Sequence, residues 1–267
     1  MSESRIEAVL IDISGVLAVG GAAVPGSVEA LARLREAGRA VRFLTNTTRK
    51  PRAQLVDELR GMGFDLEVDE VFTAPRAARR VVEQNRWRPH LLVHDDLLPD
   101  FEGLDTDRPN AVVVGDAGDG FTYASLNAAF RVLTGGEGSE VEASGGGAAL
   151  ISMGSNRYFR DRDGALSLDM GPFVAALSFA AGVEAQVTGK PAAAFFRAAL
   201  QDVGVRPGRA VMIGDDLPND IGGAAACGVA GVLVRTGKFR PADEHDAAVH
   251  PEAVCDDFAA AVGWVLG

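Results

Sequence analysis

The sequence predicts an α/β fold built on a parallel sheet. Short apolar runs alternate with segments of helical periodicity along most of the chain, which is the pattern of successive βαβ units. Several of the apolar runs end in polar residues, as strands of an open parallel sheet do where they approach a ligand. With 267 residues, the chain is long enough to form one or two hydrophobic cores.

The predicted strands are short apolar runs, and the segments between them place apolar residues at helical spacing. In the first helix Val28, Leu31 and Leu34 share one face. Ser27 is its expected N-cap and Gly38 its expected stop. We predict strands over 8–12, 40–45, 71–73, 90–94, 111–115, 148–152, 185–188, 210–214 and 230–234. We predict helices over 26–37, 51–62, 75–85, 122–133, 171–181, 191–203, 218–227 and 257–266.

One segment, 135–147, interrupts this alternation. It is rich in glycine and glutamate and poor in apolar residues, so we predict a flexible loop. It does not resemble a nucleotide-binding loop, because no Gly-Lys-Ser or Gly-Lys-Thr follows it. The same test excludes VTGKP at 187–191 and RTGKF at 235–239 as Walker motifs.

Composition limits the classes of partner. The net charge of −11 and the isoelectric point near 4.9 argue against nucleic acid and against an anionic membrane surface. The sequence has no apolar run long enough to span a bilayer and no secretory signal pattern at its start. Its only cysteines, Cys227 and Cys255, are too few for a disulfide framework, so we expect a reducing, cytoplasmic setting.

Polar groups follow four of the predicted strands. They are Asp12 with Ser14, Thr45 with Asn46, Lys190 within 189–191, and Asp215 with Asp216 and Asp220. We expect the four strands to belong to one sheet, whose carboxyl edge would bring these groups together. Each group also has a purely structural explanation. The aspartates and Thr45-Asn46 could cap turns or helices, and Lys190 could be a solvated loop residue.

Taken together, the four groups favour phosphate chemistry. Asp12 and the Asp215 cluster offer carboxylate oxygens, which are the ligands that a hard cation such as Mg²⁺ prefers. Lys190, Thr45 and the main-chain N–H groups near Ser14 offer donors to an anion. Catalysis of phosphoryl transfer consists mainly of positioning and charge neutralisation, which this set of residues can provide.

These motifs resemble those of the haloacid dehalogenase (HAD) superfamily of phosphatases, which form an aspartyl phosphate. The matching segments are DISGV at 12–16, FLTN at 43–46, GKP at 189–191 and GDDLPND at 214–220. Longer stretches, such as 210–245, resemble the branch that acts on pyrophosphate and on phosphorylated lysine and histidine. The resemblance implies a discontinuous Rossmann-like core over 1–85 and 184–267 with an inserted α/β cap domain over 86–183.

The resemblance also implies a role for each polar group. Asp12 is expected to be the nucleophile, and Lys190 to neutralise charge on Asp12 and on the transferring group. The residues expected to bind the substrate phosphate are Asp12, Ile13, Ser14, Thr45, Asn46 and Lys190. Those expected to bind Mg²⁺ are Asp12, Ser14 through its carbonyl, and Asp215, while Asp216 and Asp220 orient these ligands from outside.

The sequence departs from the usual family pattern at Ser14. Most HAD phosphatases carry a second aspartate two residues after the nucleophile, where it acts as general acid and base. A serine hydroxyl is a poor acid or base at neutral pH, and losing a positioned acid–base group costs about 10²–10⁴-fold in rate. Serine also occurs in the branch named above, so we expect activity on small phosphates with good leaving groups, such as pyrophosphate and phosphoramidates.

Two other activities stay open beside hydrolysis. A regulatory or binding protein with little turnover would explain Ser14, and a phosphotransferase or mutase could use the same aspartate. The expected partner is a small phosphorylated molecule, with a homodimer as the expected assembly. In the predicted cap, the segment 155–164 is either a solvated hairpin or a source of substrate contacts. The candidate contacts are Arg157, Tyr158, Arg160 and Arg162.

Overall fold

The computed structural model describes residues 6–135, 148–160 and 165–267, and it confirms the α/β fold. The chain divides into two compact units. The first contains the described residues up to Thr45, then Arg52–Phe72 and Lys190–Gly267, and the second contains Asn46–Pro51 and the described residues from Thr73 to Gly189. The predicted loop 135–147 lies outside the described residues from 136 onward.

The strands and helices follow one another in an order close to the predicted one. The strands are β1 (Ala8–Asp12), β2 (Ala18–Val19), β3 (Ala22–Ala23), β4 (Ala40–Thr45), β5 (Val71–Thr73), β6 (Pro89–Leu92), β7 (Ala111–Val114), β8 (Ala149–Ser152), β9 (Tyr158–Arg160), β10 (Leu166–Leu168), β11 (Ala185–Val187), β12 (Ala210–Gly214), β13 (Ala230–Val234) and β14 (Ala253–Cys255). The helices are α1 (Ser27–Glu36), α2 (Arg52–Gly61), α3 (Ala74–Asn85), α4 (Tyr123–Leu133), α5 (Met170–Ala181), α6 (Ala193–Gln201), α7 (Gly223–Ala225) and α8 (Phe258–Leu266).

A six-stranded sheet with the order β14-β13-β12-β1-β4-β5 forms the centre of the first unit. Strand β1 lies between β12 and β4 and pairs in parallel with both. All five residues of β1 are buried, as expected of a central strand covered on both faces. Because the strands are parallel, Asp12 at the end of β1 and Thr45 at the end of β4 lie at the same edge, where Asp12 is opposite Leu44.

The core of the first unit packs helices against this sheet. Side chains from β1, β4 and β13 join those of α1, α2 and α8 in one buried cluster that includes Phe43, Phe64 and Phe258. Each of these rings is at most 2% exposed, and full burial of such a side chain stabilises a fold by about 1.5–3 kcal/mol. This packing gives the strand ends a rigid base.

The second unit has its own sheet, with the order β11-β8-β7-β6. Neighbouring strands in this sheet pair in parallel, and its core is formed by β7 and β8 with α4 and α5 on one side and α3 on the other. Strands β9 and β10 form a separate antiparallel pair in which Tyr158 is opposite Leu168. Among the described residues, no helix has the length and apolar character required to cross a bilayer.

One prediction about the sheets is wrong. The segment with Lys190 follows β11, which pairs with β8 in the second unit's sheet and not with the strands that carry Asp12, Thr45 and Asp215. The run 185–188 has the composition of a strand, but its partner is distant in sequence, so local pattern could not identify the sheet. Lys190 itself belongs to the first unit, which the chain re-enters after Gly189.

Two local details also differ from the prediction. The N-cap of α1 is Gly26, in the left-handed conformation, and Ser27 is the first helical residue, whose hydroxyl donates to the Val24 carbonyl at 2.6 Å. The predicted helix 218–227 begins instead with a π-helical turn, Leu217–Gly222, followed by the short α7. Such wide turns are frequent at functional sites.

The two units differ from the predicted domains in the position of α3. This helix groups with the second unit, whereas the predicted core extended to residue 85. Its buried residues Ala74, Ala78 and Val82 pack with Leu97 and Ile151 of the second unit. The division into a core over 1–85 and 184–267 and a cap over 86–183 stays a prediction.

Candidate active site

A buried lysine joins two of the predicted aspartates. The Lys190 ammonium donates hydrogen bonds to the carboxylate of Asp12 and, at 2.7 Å, to Oδ1 of Asp220. Lys190 is 6% exposed, Asp12 5% and Asp220 1%. A buried ammonium is costly unless it is paired and hydrogen-bonded, and here two carboxylates stabilise it. The structure thus pairs Asp12 with Lys190, and the catalytic role of Lys190 stays a prediction.

Three carboxylates cluster at this site. One oxygen from each of Asp12, Asp215 and Asp220 lies within 4.8 Å of the others, and all three residues are buried. When these groups are ionised, Lys190 balances only one of the three negative charges. A set of buried carboxylate oxygens with excess negative charge is the donor chemistry that a hard divalent cation requires. The residues therefore fit a divalent metal ion.

The pKa values reflect this imbalance. Burial raises the pKa of Asp12 to about 7; the Lys190 charge opposes the rise, while Asp220 and Asp215 add to it. Burial likewise raises the pKa of Asp215 to about 6, against the hydrogen bond from the main chain of Lys238. Burial alone would lower the pKa of Lys190, but Asp12 and Asp220 outweigh it and raise that pKa. Lys190 is therefore a permanent cation at neutral pH.

Asp216 and Asp220 have different surroundings in the structure, although the same role, orienting the metal ligands, was predicted for both. Asp220 belongs to the carboxylate cluster, whereas the Asp216 side chain caps the turn Leu217–Gly222 by accepting from the Asn219 main chain at 3.1 Å. Asp216 also accepts from the Lys238 ammonium at 3.0 Å. Burial alone would raise the pKa of Asp216, but the Asn219 hydrogen bonds and the Lys238 charge lower it.

A turn after β13 contacts Asp215, and no local pattern in the sequence predicts this role. The Lys238 main-chain N–H donates to Oδ2 of Asp215 at 2.7 Å. Gly15 and Gly237 both have positive φ angles, +95° and +63°, and a Cβ on either would come within 1.9 Å of that oxygen. The available signal in the sequence was a glycine beside one of only three lysines.

The segment after Asp12 contributes mainly through its backbone. Ile13 is buried in the core, and its carbonyl accepts from the N–H groups of Leu17 and Ala18. Ser14 is exposed and forms an isolated bridge with Ala18. Thr45, at the end of β4, is 3% exposed. The assignments of Ile13, Ser14 and Thr45 as phosphate or metal contacts stay predictions.

Asn46 groups with the second unit, unlike Thr45 before it. It is half-buried and lies against Gly189, where a Cβ would come 2.8 Å from the Asn46 amide oxygen. In the same segment, Arg49 pairs with the buried Asp116 at 2.5 Å and covers the ring of Phe159, with its guanidinium carbon 4.8 Å from the ring centroid. The segment Asn46–Pro51 is thus held by contacts within the second unit.

The candidate substrate contacts in the predicted cap lie on or beside the β9–β10 pair. Arg157 and Tyr158 are exposed, and Tyr158 is 59% accessible. Arg160 ends β9, and Arg162 lies outside the described residues. The antiparallel pairing agrees with the hairpin interpretation of this segment. A role in substrate binding stays a prediction.

Comparisons with known proteins agree with this geometry. A family model described as haloacid dehalogenase-like hydrolase matches residues 9–106, and one described as HAD-hydrolase-like matches 187–261. The chain is 46% identical over 265 residues to the phospholysine phosphohistidine inorganic pyrophosphate phosphatase of Danio rerio, covering 98% of this chain and 94% of that protein.

Solved structures are similar over nearly the same length. The 4-nitrophenylphosphatase of Thermotoga maritima superposes with a TM-score of 0.85 at 26% identity and covers 98% of both chains. The glycerol phosphate phosphatase of Mycobacterium tuberculosis, solved in complex with calcium, superposes with a TM-score of 0.80 at 25% identity, covering 95% of this chain and 74% of that one.

Proposed function

The chain belongs to the haloacid dehalogenase-like hydrolase family, and we propose that it is a Mg²⁺-dependent phosphohydrolase that uses Asp12 as a covalent nucleophile. The observation that carries the proposal is the buried group of Asp12, Asp215 and Asp220 around the ammonium of Lys190. This group combines a fixed carboxylate nucleophile, a fixed cation and a set of oxygen ligands at the end of a central strand.

Asp12, Asp215 and Asp220 are the residues proposed to hold the metal ion, together with the Ser14 carbonyl. When bound, Mg²⁺ supplies positive charge to the phosphoryl oxygens and compensates the carboxylates. In the absence of a metal ion, the negative charge of the three carboxylates would repel a phosphate. Lys190 supplies a second, permanent positive charge, held in place by its hydrogen bonds to Asp12 and Asp220.

In the first proposed step, a carboxylate oxygen of Asp12 attacks phosphorus and the bond from phosphorus to the leaving group breaks. The phosphoryl group is then an acyl phosphate on Asp12, and the leaving group departs with the electron pair of the broken bond, any proton that it gains coming from water. In the second step, water attacks phosphorus, which releases inorganic phosphate and restores the carboxylate. Dividing the displacement in this way replaces one difficult step by two easier ones.

The Asp12 carboxylate is well placed for this role. It ends a fully buried central strand, so its backbone is rigid, and Lys190 fixes one side of the carboxylate. The raised pKa of Asp12, about 7, refers to the protein without a cation. A neighbouring divalent cation favours the ionised form and thus the nucleophile.

Ser14 bears on the class of substrate. It is exposed, but its hydroxyl cannot protonate a departing alkoxide at neutral pH. Leaving groups that need no proton from the enzyme are therefore favoured, namely phosphate from pyrophosphate and the nitrogen of phosphoramidates, which is basic enough to take a proton from solvent before the P–N bond breaks. The Danio rerio relative bears a name of the same chemistry, which supports this choice of substrates.

The same serine favours one second candidate, a protein that binds a phosphorylated ligand with little turnover. Such a protein would keep the carboxylates and Lys190 for binding but lack the acid–base group for release. Binding without hydrolysis of the substrates that need least assistance would distinguish it from an enzyme.

We also propose that the protein is cytoplasmic and that it acts as a homodimer on small phosphorylated molecules. The cytoplasmic setting is supported by Cys227 and Cys255, which are both free thiols. The homodimer is supported only by the family resemblance. Sedimentation of the purified chain tests the assembly.

Phosphate release from a panel of small phosphates tests the proposed function. The panel contains pyrophosphate, imidodiphosphate, an aryl phosphate, a phosphoramidate and a sugar phosphate, each with Mg²⁺ and with excess chelator. We expect Mg²⁺-dependent release from the wild type and none from Asp12→Asn. Tight binding of the panel without release would instead support the binding protein, and release that survives Asp12→Asn would contradict the covalent mechanism.

A further inference from the structure

The turn formed by Gly237 and Lys238 encloses the carboxylate of Asp215. The Lys238 main-chain N–H donates to Oδ2 of Asp215 at 2.7 Å. Gly237 lies so close that an added Cβ would come within 1.9 Å of the same oxygen and 2.6 Å of the Gly15 Cα atom. The carboxylate is therefore held between two glycine backbones and one main-chain donor.

We propose that this turn, Gly237–Lys238, is the positioning element for Asp215 as a metal ligand, an inference that rests on the proposed function. The Lys238 side chain also connects the turn to the residue after Asp215, since its ammonium donates to Oδ2 of Asp216 at 3.0 Å. Asp216 in turn caps Leu217–Gly222, the turn that carries Asp220. Lys238 thus ties the β13 turn to the segment Asp215–Asp220.

A fixed carboxylate binds a metal ion more tightly than a free one, because its orientation is set before binding. Loss of a group that orients a metal ligand typically weakens metal binding by about 10–100-fold. Gly237 suits this position for two reasons. Its φ of +63° is rarely adopted by other residues, and its missing Cβ leaves room for the Asp215 oxygen.

The first test compares two glycine-to-alanine variants by Mg²⁺ binding in calorimetry and by melting temperature without metal. Gly237→Ala adds a methyl group against Asp215, whereas Gly38→Ala adds one at a similar φ of +68° with no atom within 4 Å. Both variants place alanine at a positive φ of nearly equal size. We expect Gly237→Ala to weaken Mg²⁺ binding at least about tenfold and Gly38→Ala to leave it unchanged.

The second test removes the ion pair between Lys238 and Asp216 without changing the net charge. The double variant Asp216→Asn with Lys238→Met deletes one negative and one positive charge, so the net charge near the metal site is unchanged. The introduced asparagine side chain keeps an oxygen that can accept the Asn219 N–H hydrogen bond. We expect weaker Mg²⁺ binding, by about tenfold, with a melting temperature near that of the wild type without metal because the Lys238 side chain is 70% exposed.

Asp215→Ala separates failure of this inference from failure of the proposed function. If Asp215→Ala abolishes Mg²⁺ binding while Gly237→Ala and the double variant bind as the wild type does, the turn does not position Asp215 and the metal site stands. If Asp215→Ala binds Mg²⁺ normally, the metal site itself is wrong. Should Gly237→Ala fail to fold, the double variant decides the question alone.

Discussion

Replacing Lys190 by methionine should destabilise the first unit strongly, and mostly at neutral to alkaline pH. The substitution keeps an unbranched side chain, one atom shorter, but removes a buried cation that donates to Asp12 and Asp220. Two buried carboxylates then lose their shared donor, with Asp215 adding a third negative charge nearby. Buried charges without a partner are costly, so the variant should be less stable than the wild type in metal-free buffer.

The size of the loss follows from the contacts. At an effective dielectric constant of about 20, unit charges 2.7 Å apart, as in the Lys190–Asp220 pair, attract by about 6 kcal/mol. Part of this attraction is offset because the variant no longer has to bury an ammonium group. Removing one partner of a buried pair typically costs about 3–5 kcal/mol, which is the loss we expect. For a chain of this size that corresponds to a fall of about 10 °C in melting temperature.

Urea unfolding in chelator measures this loss. Trp87 lies in the second unit and Trp264 in the first, so a Trp87→Phe background leaves one indole that reports on the first unit. Lys238→Met is the matched control, because the Lys238 side chain is 70% exposed and pairs with one partner, Asp216, which is 13% exposed. A surface pair of this kind contributes about 0–1 kcal/mol, so the control should unfold almost as the wild type does.

The pH dependence gives the sharpest check on the reasoning. Without Lys190, the carboxylates bind protons more tightly in the folded than in the unfolded state, so protonation removes the unpaired charge. The loss should therefore shrink by about half or more between about pH 8 and about pH 5.5. An equal loss at both pH values, or an equal loss in Lys238→Met, would refute the electrostatic explanation.

Three further predictions concern the same site. The pKa of Asp12 is raised from 3.8 to about 7, and that of Asp215 from 3.8 to about 6. At pH values between the ordinary and the raised pKa, the metal-free folded protein therefore binds more protons than the unfolded chain. These two groups should make metal-free stability fall as pH rises from about 4 to about 7; a thermal melting series should show this fall, and Asp215→Asn should reduce it. Asp215→Ala should raise the half-saturating Mg²⁺ concentration for turnover at least about tenfold, whereas Asp243→Ala should not change it, because Asp243 accepts from the Arg240 main chain and is not part of the carboxylate cluster; an equal requirement in both variants would remove Asp215 from the metal site. Ser14→Asp should increase kcat for an alkyl phosphate more than for an aryl phosphate, because only the alkoxide needs a proton; equal changes for the two substrates would show that residue 14 is not the missing acid.

Much of the first unit could be predicted because its central strands β1 and β12 are short, fully buried apolar runs, whereas β14, whose residues are only partly buried, was not predicted. The predicted limits of β4, β12 and β13 agree with the structure to the residue. Polar residues at the ends of β1 and β12 also indicated the site, since charged groups beside a buried strand need a partner or a ligand. The cluster of Asp12, Asp215 and Asp220 agrees with that expectation.

Other features depend on contacts between residues far apart in the sequence. The pairing of β11 with β8 could not be inferred from the local run that precedes Lys190. The different surroundings of Asp216 and Asp220 arise from the wide turn Leu217–Gly222, which helical periodicity does not reveal. The contact of Lys238 with Asp215 joins residues 23 positions apart, so the run RTGKF did not indicate in the sequence that it lies beside Asp215.

The central claim, that Asp12 accepts the phosphoryl group, is tested most directly by trapping the covalent enzyme. Wild-type protein is mixed with pyrophosphate and Mg²⁺, quenched in acid during the first turnover, digested and examined by mass spectrometry. We predict one phosphoryl group on the peptide that contains Asp12, removable by hydroxylamine as an acyl phosphate is, and none in Asp12→Asn. Phosphate release at an undiminished rate with no phosphoryl group on residue 12 would contradict the claim.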